Sequence, residues 1–251
     1  MSLNITNSFL YGSGVFTTIA IYDGTPFLWN KHWRRLSHNA SCVNVSIDEF
    51  SENFTKKCLS EALSENKIIN GRVRITFFDE TEGKIWSREN IKKTSLSIIT
   101  GDLRQISDNF RLAVSPYQVN SLSPLAGIKS CNYLDKILAL DDAKARGFDE
   151  AIQINERGEV ASATMANVFW LKDDLLYTPS LRTGCLPGTT REFVMENLEC
   201  REVETTMDEL HSADAIFLTS AGLGVVQVAE FESRRFERRA HPILELLPKQ
   251  N

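Results

Sequence analysis

Lys129 is the first residue whose setting suggests chemistry. It stands in Gly127-Ile128-Lys129-Ser130, among small and apolar neighbours rather than carboxylates that would pair with it. A lysine so placed loses hydration, gives up its proton more readily, and as a neutral amine can condense with an aldehyde. The same setting also suits a plain exposed lysine. Two further segments have the composition of phosphate holders. In Leu186-Pro187-Gly188-Thr189-Thr190-Arg191 a Pro-Gly turn opens a helix whose free N–H groups and dipole favour an anion, with two hydroxyls beside them. Thr219-Ser220-Ala221-Gly222 leaves a strand through small residues, which lets backbone amides close on an anion. Taken singly, these are equally a helix cap and a turn, and neither is a P-loop, since no Gly-Lys-Ser/Thr occurs.

Other chemistries lack their residues. The four histidines (32, 38, 211 and 241) form no HExxH or other metal-like pairing, and no GxSxG elbow occurs, so zinc hydrolysis and a serine triad are unsupported and no metal is expected. Gly12-Ser13-Gly14 precedes a strand instead of following one, which disqualifies it as a dinucleotide fingerprint. Five scattered cysteines without a CxxC pair read as reduced thiols.

These residues need elements to position them, and the hydrophobic pattern supplies a set. Val15 to Tyr22, an Asp23-Gly24 turn and Pro26 to Trp29 read as a hairpin. Residues 31–40 suit a helix, and Ser46 with Glu49 forms a capping box opening another, whose Phe50, Phe54, Leu59 and Leu63 recur at helical spacing. Strands are expected near 71–78, 94–101 and 110–115. Pro116, Pro124 and several Ser and Asn residues make 116–127 a linker between a small domain, 1–115, and a larger one, 128–251. In the second, a helix over 130–146 ends at Gly147, and strands follow near 149–155, 160–170 and 174–178. A helix after Pro187-Gly188, a short one capped by Thr206 and Glu209, and strands over 214–219 and 225–231 complete it.

At 251 residues and 42% hydrophobic content the chain can build real cores. A formal charge of −5 with interspersed signs argues against nucleic acid, the Arg234, Arg235, Arg238 and Arg239 cluster being interrupted by Glu237. No run approaches a membrane span and the N-terminus has no signal-peptide pattern, so the expected location is the cytoplasm.

Six segments in order resemble the fold-type IV pyridoxal phosphate enzymes, the family of branched-chain and D-amino acid aminotransferases and aminodeoxychorismate lyase. They are Tyr11-Gly-Ser-Gly-Val-Phe16, His32-Trp-Arg-Arg35-Leu36, Ile128-Lys129-Ser-Cys-Asn-Tyr133-Leu, Ala166-Asn167-Val-Phe169, Tyr177-Thr-Pro179 and Leu186-Pro-Gly-Thr-Thr-Arg191, spanning nearly the whole chain. The resemblance implies a two-domain α+β fold, with a small N-terminal domain and a larger C-terminal one having a β-barrel-like core. It implies pyridoxal 5'-phosphate as cofactor, a small-molecule amine as substrate, and a homodimer. It further implies that Lys129 carries the cofactor and moves the α-proton, that Arg35 clamps the phosphate, and that Thr189, Thr190, Ser220 and Ala221 complete the phosphate cradle. Tyr133, one helical turn after the lysine on the expected helix, is a partner for the ring hydroxyl or the imine.

Lyase and aminotransferase share this machinery. Phe16-Thr17-Thr18, where aminotransferases carry Phe-Glu, resembles the lyase, as do Ala166-Asn-Val-Phe-Trp170 with Tyr177-Thr-Pro179, and a 220–225 loop without Thr-Ala-Ala-Glu. The family glutamate that pairs with the pyridine nitrogen is replaced by Ser162. A register slip bringing in Glu159 would send that side chain to the opposite face. A hydroxyl stabilises a protonated ring nitrogen less than a carboxylate does, which suits an elimination driven by formation of an aromatic product. The expected reaction is conversion of 4-amino-4-deoxychorismate to 4-aminobenzoate and pyruvate, a step toward folate. The alternatives are an amino-acid aminotransferase and a catalytically weakened cofactor-binding homologue. Arg72 and Arg74, on one face of a strand, are candidates for the substrate carboxylate, and Phe16 for substrate contact.

Overall fold

The computed structural model describes residues 5–85 and 93–248. By backbone packing the chain divides into two compact units, Met1–Leu103 with Ile128–Tyr133, and Arg104–Gly127 with Leu134–Asn251.

The first unit contains α1 (Asn7–Tyr11), β1 (Gly14–Tyr22), β2 (Thr25–Pro26), α2 (Trp29–Cys42), α3 (Glu52–Glu65), β3 (Gly71–Asp79) and β4 (Thr94–Gly101). The strands form one antiparallel sheet in the order β2-β1-β3-β4. Along β3 the side chains alternate strictly between buried and half-buried, as a strand with one covered face requires. Val73, Ile75 and Phe77 turn inward with Val15, Ile19 and Ile21 of β1, against Leu36 and Ala40 of α2 and Leu59 and Leu63 of α3. Each fully buried aliphatic side chain there contributes about 1.5–3 kcal/mol. The opposite face carries Phe16, Thr18, Arg72 and Arg74, with Thr18 directly across from Arg74.

Two boundaries differ from the sequence expectation. The hairpin's second strand is only Thr25–Pro26, because Leu28 turns the chain with a positive φ of 55° and Trp29 enters the helix, where it stacks on Trp33. The Ser46–Glu49 capping box is not used: the Ser46 hydroxyl donates to Asp48, and Ser51 caps α3 by accepting from the Phe54 N–H. Either serine satisfies the local rule, and Ser51 wins with Phe50 placed against Phe77.

The second unit contains β5 (Arg111–Val114), α4 (Leu134–Ala145), β6 (Glu150–Ile154), β7 (Val160–Ala163), β8 (Asn167–Lys172), β9 (Leu175–Pro179), α5 (Thr189–Asn197), β10 (Cys200–Val203), α6 (Met207–His211), β11 (Ala215–Ser220), β12 (Gly224–Gln227), β13 (Glu230–Phe231) and β14 (Arg234–Arg235). Two five-stranded sheets, β10-β9-β8-β11-β12 and β14-β13-β5-β6-β7, share a core of Leu112, Ile152, Val168, Trp170, Ile216 and Leu218. The far side of the first sheet packs Phe169 and Phe217 on Val194 of α5, and α4 lies with Ala143 against Ala113 and Ala151 of the second.

Here three expectations are corrected. The helix placed over 130–146 starts at Leu134, since the residues before it pair with β1. The strand over 160–170 is broken at 164–166, where the Ala163 N–H bonds the Ala166 carbonyl. The fully buried Glu150 carboxylate holds that turn, accepting from the Thr164 hydroxyl and, at 2.6 Å, from the Met165 N–H. The strand over 225–231 likewise divides into β12 and β13. The α6 helix forms where Thr206 and Glu209 suggested, but without a side-chain cap, Glu209 bonding Lys172 instead.

Candidate active site

In the first unit the Lys129 segment lies along the edge of β1. The Phe16 N–H bonds the Lys129 carbonyl at 3.0 Å and the Cys131 N–H bonds the Gly14 carbonyl at 2.8 Å, making Lys129–Cys131 a short strand. Two glycines allow this approach. A Cβ on Gly14 would come within 2.8 Å of Cys131 Sγ, and one on Gly12, whose φ is +62°, within 2.6 Å of Asn132 Oδ1. Asn132 in turn donates to the Gly12 carbonyl at 3.1 Å. Gly12-Ser13-Gly14, which the sequence showed to be no nucleotide fingerprint, is therefore the seat of the lysine segment.

The half-buried lysine meets Tyr133 as expected, its Nζ donating to the phenol oxygen at 3.0 Å. The reason is not a helical turn, since the helix begins one residue later, but an extended segment followed by a bend. Lys129 Nζ also lies 4.4 Å from the centre of the Phe16 ring and 4.7 Å from that of Tyr133, and these two rings meet edge to face at 5.1 Å. The Arg74 guanidinium stacks 3.6 Å from the Phe16 ring centre. Arg72 is bound instead to the Asp102 carbonyl, so of the two arginines Arg74 is the one at the Phe16 and Lys129 cluster. Burial pushes the Cys131 thiol up, with Arg74 acting the other way.

Behind Phe16 the next β1 residue, Thr17, faces α2. Its hydroxyl accepts from Arg35 Nη2 at 3.0 Å and lies 2.7 Å from His32 Nδ1. Burial first, then the charges of Arg35 and Lys129, hold the imidazole well below its ordinary value of 6.5. With Arg35 donating, the hydroxyl has its own proton to give to Nδ1, the arrangement a neutral imidazole allows. The sequence reading treated His32 as structural and Thr17 only as a family marker. Their link is a cross-element contact with no local signal.

In the second unit the two expected phosphate segments are brought together by Asn167. On β8 it stands opposite Thr219 of β11, on the face toward α5, and its Nδ2 donates to the Leu186 carbonyl at 2.8 Å. Its Oδ1 packs so close to Gly188 that a Cβ there would sit 1.9 Å away. Gly188 is the N-cap of α5 and offers no side-chain cap, while Thr189 and Thr190 are buried in the first turn. Thr219 is fully buried, and its hydroxyl has no hydrogen-bond partner among the described residues. Ser220 closes the following turn, accepting from the Leu223 N–H, with Ala221 between them. An orphaned buried hydroxyl, two threonines and a helix N-terminus without a side-chain cap suit a phosphate group, and an amine held on a phenol suits an aldehyde. The residues present thus fit pyridoxal phosphate.

Ser162 is buried on β7, directly opposite Gln153. Glu159 is engaged elsewhere, its carboxylate accepting from Arg157 and from Asn155, each at 2.7 Å. Glu159 is thus held at the turn of the β6–β7 hairpin, and Ser162 is buried on the strand beyond it.

The chain is similar to known proteins over most of its length. The family model for amino-transferase class IV matches residues 14–231. The chain is 29% identical over 235 residues to an aminodeoxychorismate lyase of Bacillus subtilis, covering 90% of this chain and 80% of that one. It is equally 29% identical over 235 residues to a putative branched-chain-amino-acid aminotransferase of Methanocaldococcus jannaschii, covering 90% and 81%. The crystal structure of a putative 4-amino-4-deoxychorismate lyase from Legionella pneumophila superposes with a TM-score of 0.85 at 26% identity, covering 98% of this chain and 92% of that one.

Proposed function

Since the chain belongs to the class IV amino-transferase family, whose members are pyridoxal phosphate-dependent lyases or transaminases, we propose that it is a lyase that converts 4-amino-4-deoxychorismate to 4-aminobenzoate and pyruvate. What supports the choice is the buried hydroxyl of Ser162, at the position where the resemblance implies the glutamate of the family, since a hydroxyl serves an elimination drawn forward by its product better than a transamination.

When bound, pyridoxal phosphate supplies an electron sink for the charge left as a bond breaks at the carbon bearing the substrate amine. The chain's own residues do the rest. In the first unit Arg35, steadied by Thr17, would serve as a charge-assisted phosphate donor; in the second, Thr189, Thr190, Thr219 and Ser220 would serve as neutral ones. Lys129 Nζ holds the cofactor and then moves the substrate proton. Tyr133, 3.0 Å away, fixes the position of that nitrogen. Phe16 and the Tyr133 ring lie against the amine, at 4.4 and 4.7 Å from the ring centres, and help orient it. Arg74 faces the same cluster and is the arginine available to a substrate carboxylate. The equal likeness to an aminotransferase favours a second reading, transamination by the same lysine.

Two measurements test this. Borohydride reduction of the protein loaded with pyridoxal phosphate, followed by peptide mapping, is expected to fix the cofactor on Lys129. Pyruvate release from 4-amino-4-deoxychorismate is expected to exceed keto-acid formation from amino acids. Keto-acid formation at full rates without pyruvate release would overturn the lyase reading, and absence of label on Lys129 would overturn the whole assignment.

A further inference from the structure

Ser162 shares its face of the sheet with a half-buried lysine. Directly opposed residues of an antiparallel pair project to the same side, so Gln153 and Ser162 leave β6 and β7 together, 1% and 6% exposed. Ala151, two residues from Gln153, lies on that side too and packs on α4. From α4 Lys136 reaches the same place, its Nζ donating to Gln153 Oε1 at 2.6 Å while Gln153 Nε2 donates to the Tyr117 carbonyl. Desolvation pushes the Lys136 amine down, and Asp135, Glu150 and Cys185 oppose that shift. Its one described hydrogen bond goes to a neutral amide, so nothing in direct contact cancels its charge.

Resting on the function proposed above, we propose that Lys136, anchored by Gln153, keeps the pyridine nitrogen of the bound cofactor unprotonated, so that the Ser162 hydroxyl donates a hydrogen bond to it. A carboxylate at position 162 would favour a protonated ring, whereas a hydroxyl can donate to a neutral one. A cation on the same face opposes a second positive charge. A like charge nearby disfavours the charged form of a titrating group, so Lys136 would lower the pH at which the ring takes up a proton. Lys136 touches no reacting atom and is a positioning residue that sets the electronics of the ring. A neutral ring is a weaker electron sink, which suits a reaction drawn forward by the aromaticity of its product.

The test is the nitrogen resonance of ring-labelled pyridoxal phosphate in the holoprotein, followed as a function of pH. The wild-type signal is expected in the unprotonated range at neutral pH, and Lys136→Arg should retain it. Lys136→Gln should raise the pH of ring protonation, and Ser162→Glu should give a protonated ring. A protonated wild-type ring, or a Lys136→Gln titration that superimposes on wild type, overturns the proposal while leaving the enzyme assignment standing. Failure of the label to bond to Lys129 overturns both.

Discussion

Replacing Gly188 by alanine should damage the second unit out of proportion to one methyl group. The backbone there, with φ −69° and ψ 139°, is open to any residue, so conformation is not the obstacle. The obstacle is Asn167, whose Oδ1 would lie 1.9 Å from the new Cβ. That side chain cannot swing aside freely, because its Nδ2 is bonded to the Leu186 carbonyl and the residue is 6% exposed. Losing the buried bond costs about 1–3 kcal/mol, and repacking around the extra carbon about as much again. Reduced freedom of the unfolded chain returns only about 0.4–1 kcal/mol. The net expectation is a destabilisation of about 2–4 kcal/mol, read as a lowered urea midpoint with an unchanged slope. A cycle with Asn167→Ala isolates the cause: without Oδ1 the alanine at 188 should be nearly harmless, giving a coupling of at least ~1 kcal/mol. If Gly188→Ala is as stable as wild type, or if the two effects simply add, the account of how Asn167 joins the phosphate segments is wrong.

Two other perturbations probe the first unit. Thr17→Val keeps the shape but takes a hydrogen bond from both His32 and Arg35; a loss of about 2–3 kcal/mol in urea unfolding is expected, largely restored by Thr17→Ser, and a change below about 0.5 kcal/mol would contradict the assigned bridge. His32, depressed chiefly by burial, contributes stability in full above its unfolded value of 6.5 and loses it as pH falls through and below 6.5, at about 1.4 kcal/mol per pH unit until its folded value is reached. Subtracting the His32→Asn profile removes the parallel contribution of His241, whose imidazole is also depressed by burial; profiles of the same slope would exclude His32 as the source.

The sheet of the first unit was legible because its signal is local. β3 alternates over Arg72–Phe77 and β4 over Ser95–Ile98, and their observed limits lie within a residue of those expected. The misread stretches are those where a distant partner overrules the local pattern. Residues 160–166 form a run of small and apolar side chains, and nothing within it marks the turn at 164–166. That turn is made by Glu150, on the neighbouring strand. Had the lone carboxylate opening Glu150-Ala-Ile-Gln-Ile154 been treated as one that must find buried donors, the break could have been anticipated. The candidate site residues were named one segment at a time. Their assembly was not, because Asn167 links the two phosphate segments through strand register.

The lysine itself shows the same division. The text around Lys129 reads as the start of a helix, and from Leu134 onward it is one. What removes the first residues from that helix is a pair of glycines, bare enough for Cys131 and Asn132 to lie against them, the nearer contact spanning 120 residues of sequence. Held on β1 instead of on the first turn of α4, Lys129 is placed by the hydrogen bond of its carbonyl to the Phe16 N–H. The ring of that same residue then covers the amine. A helix could have brought Tyr133 to Lys129, but only the strand edge also brings Phe16 and Arg74, so the departure from the local pattern is what assembles this part of the site.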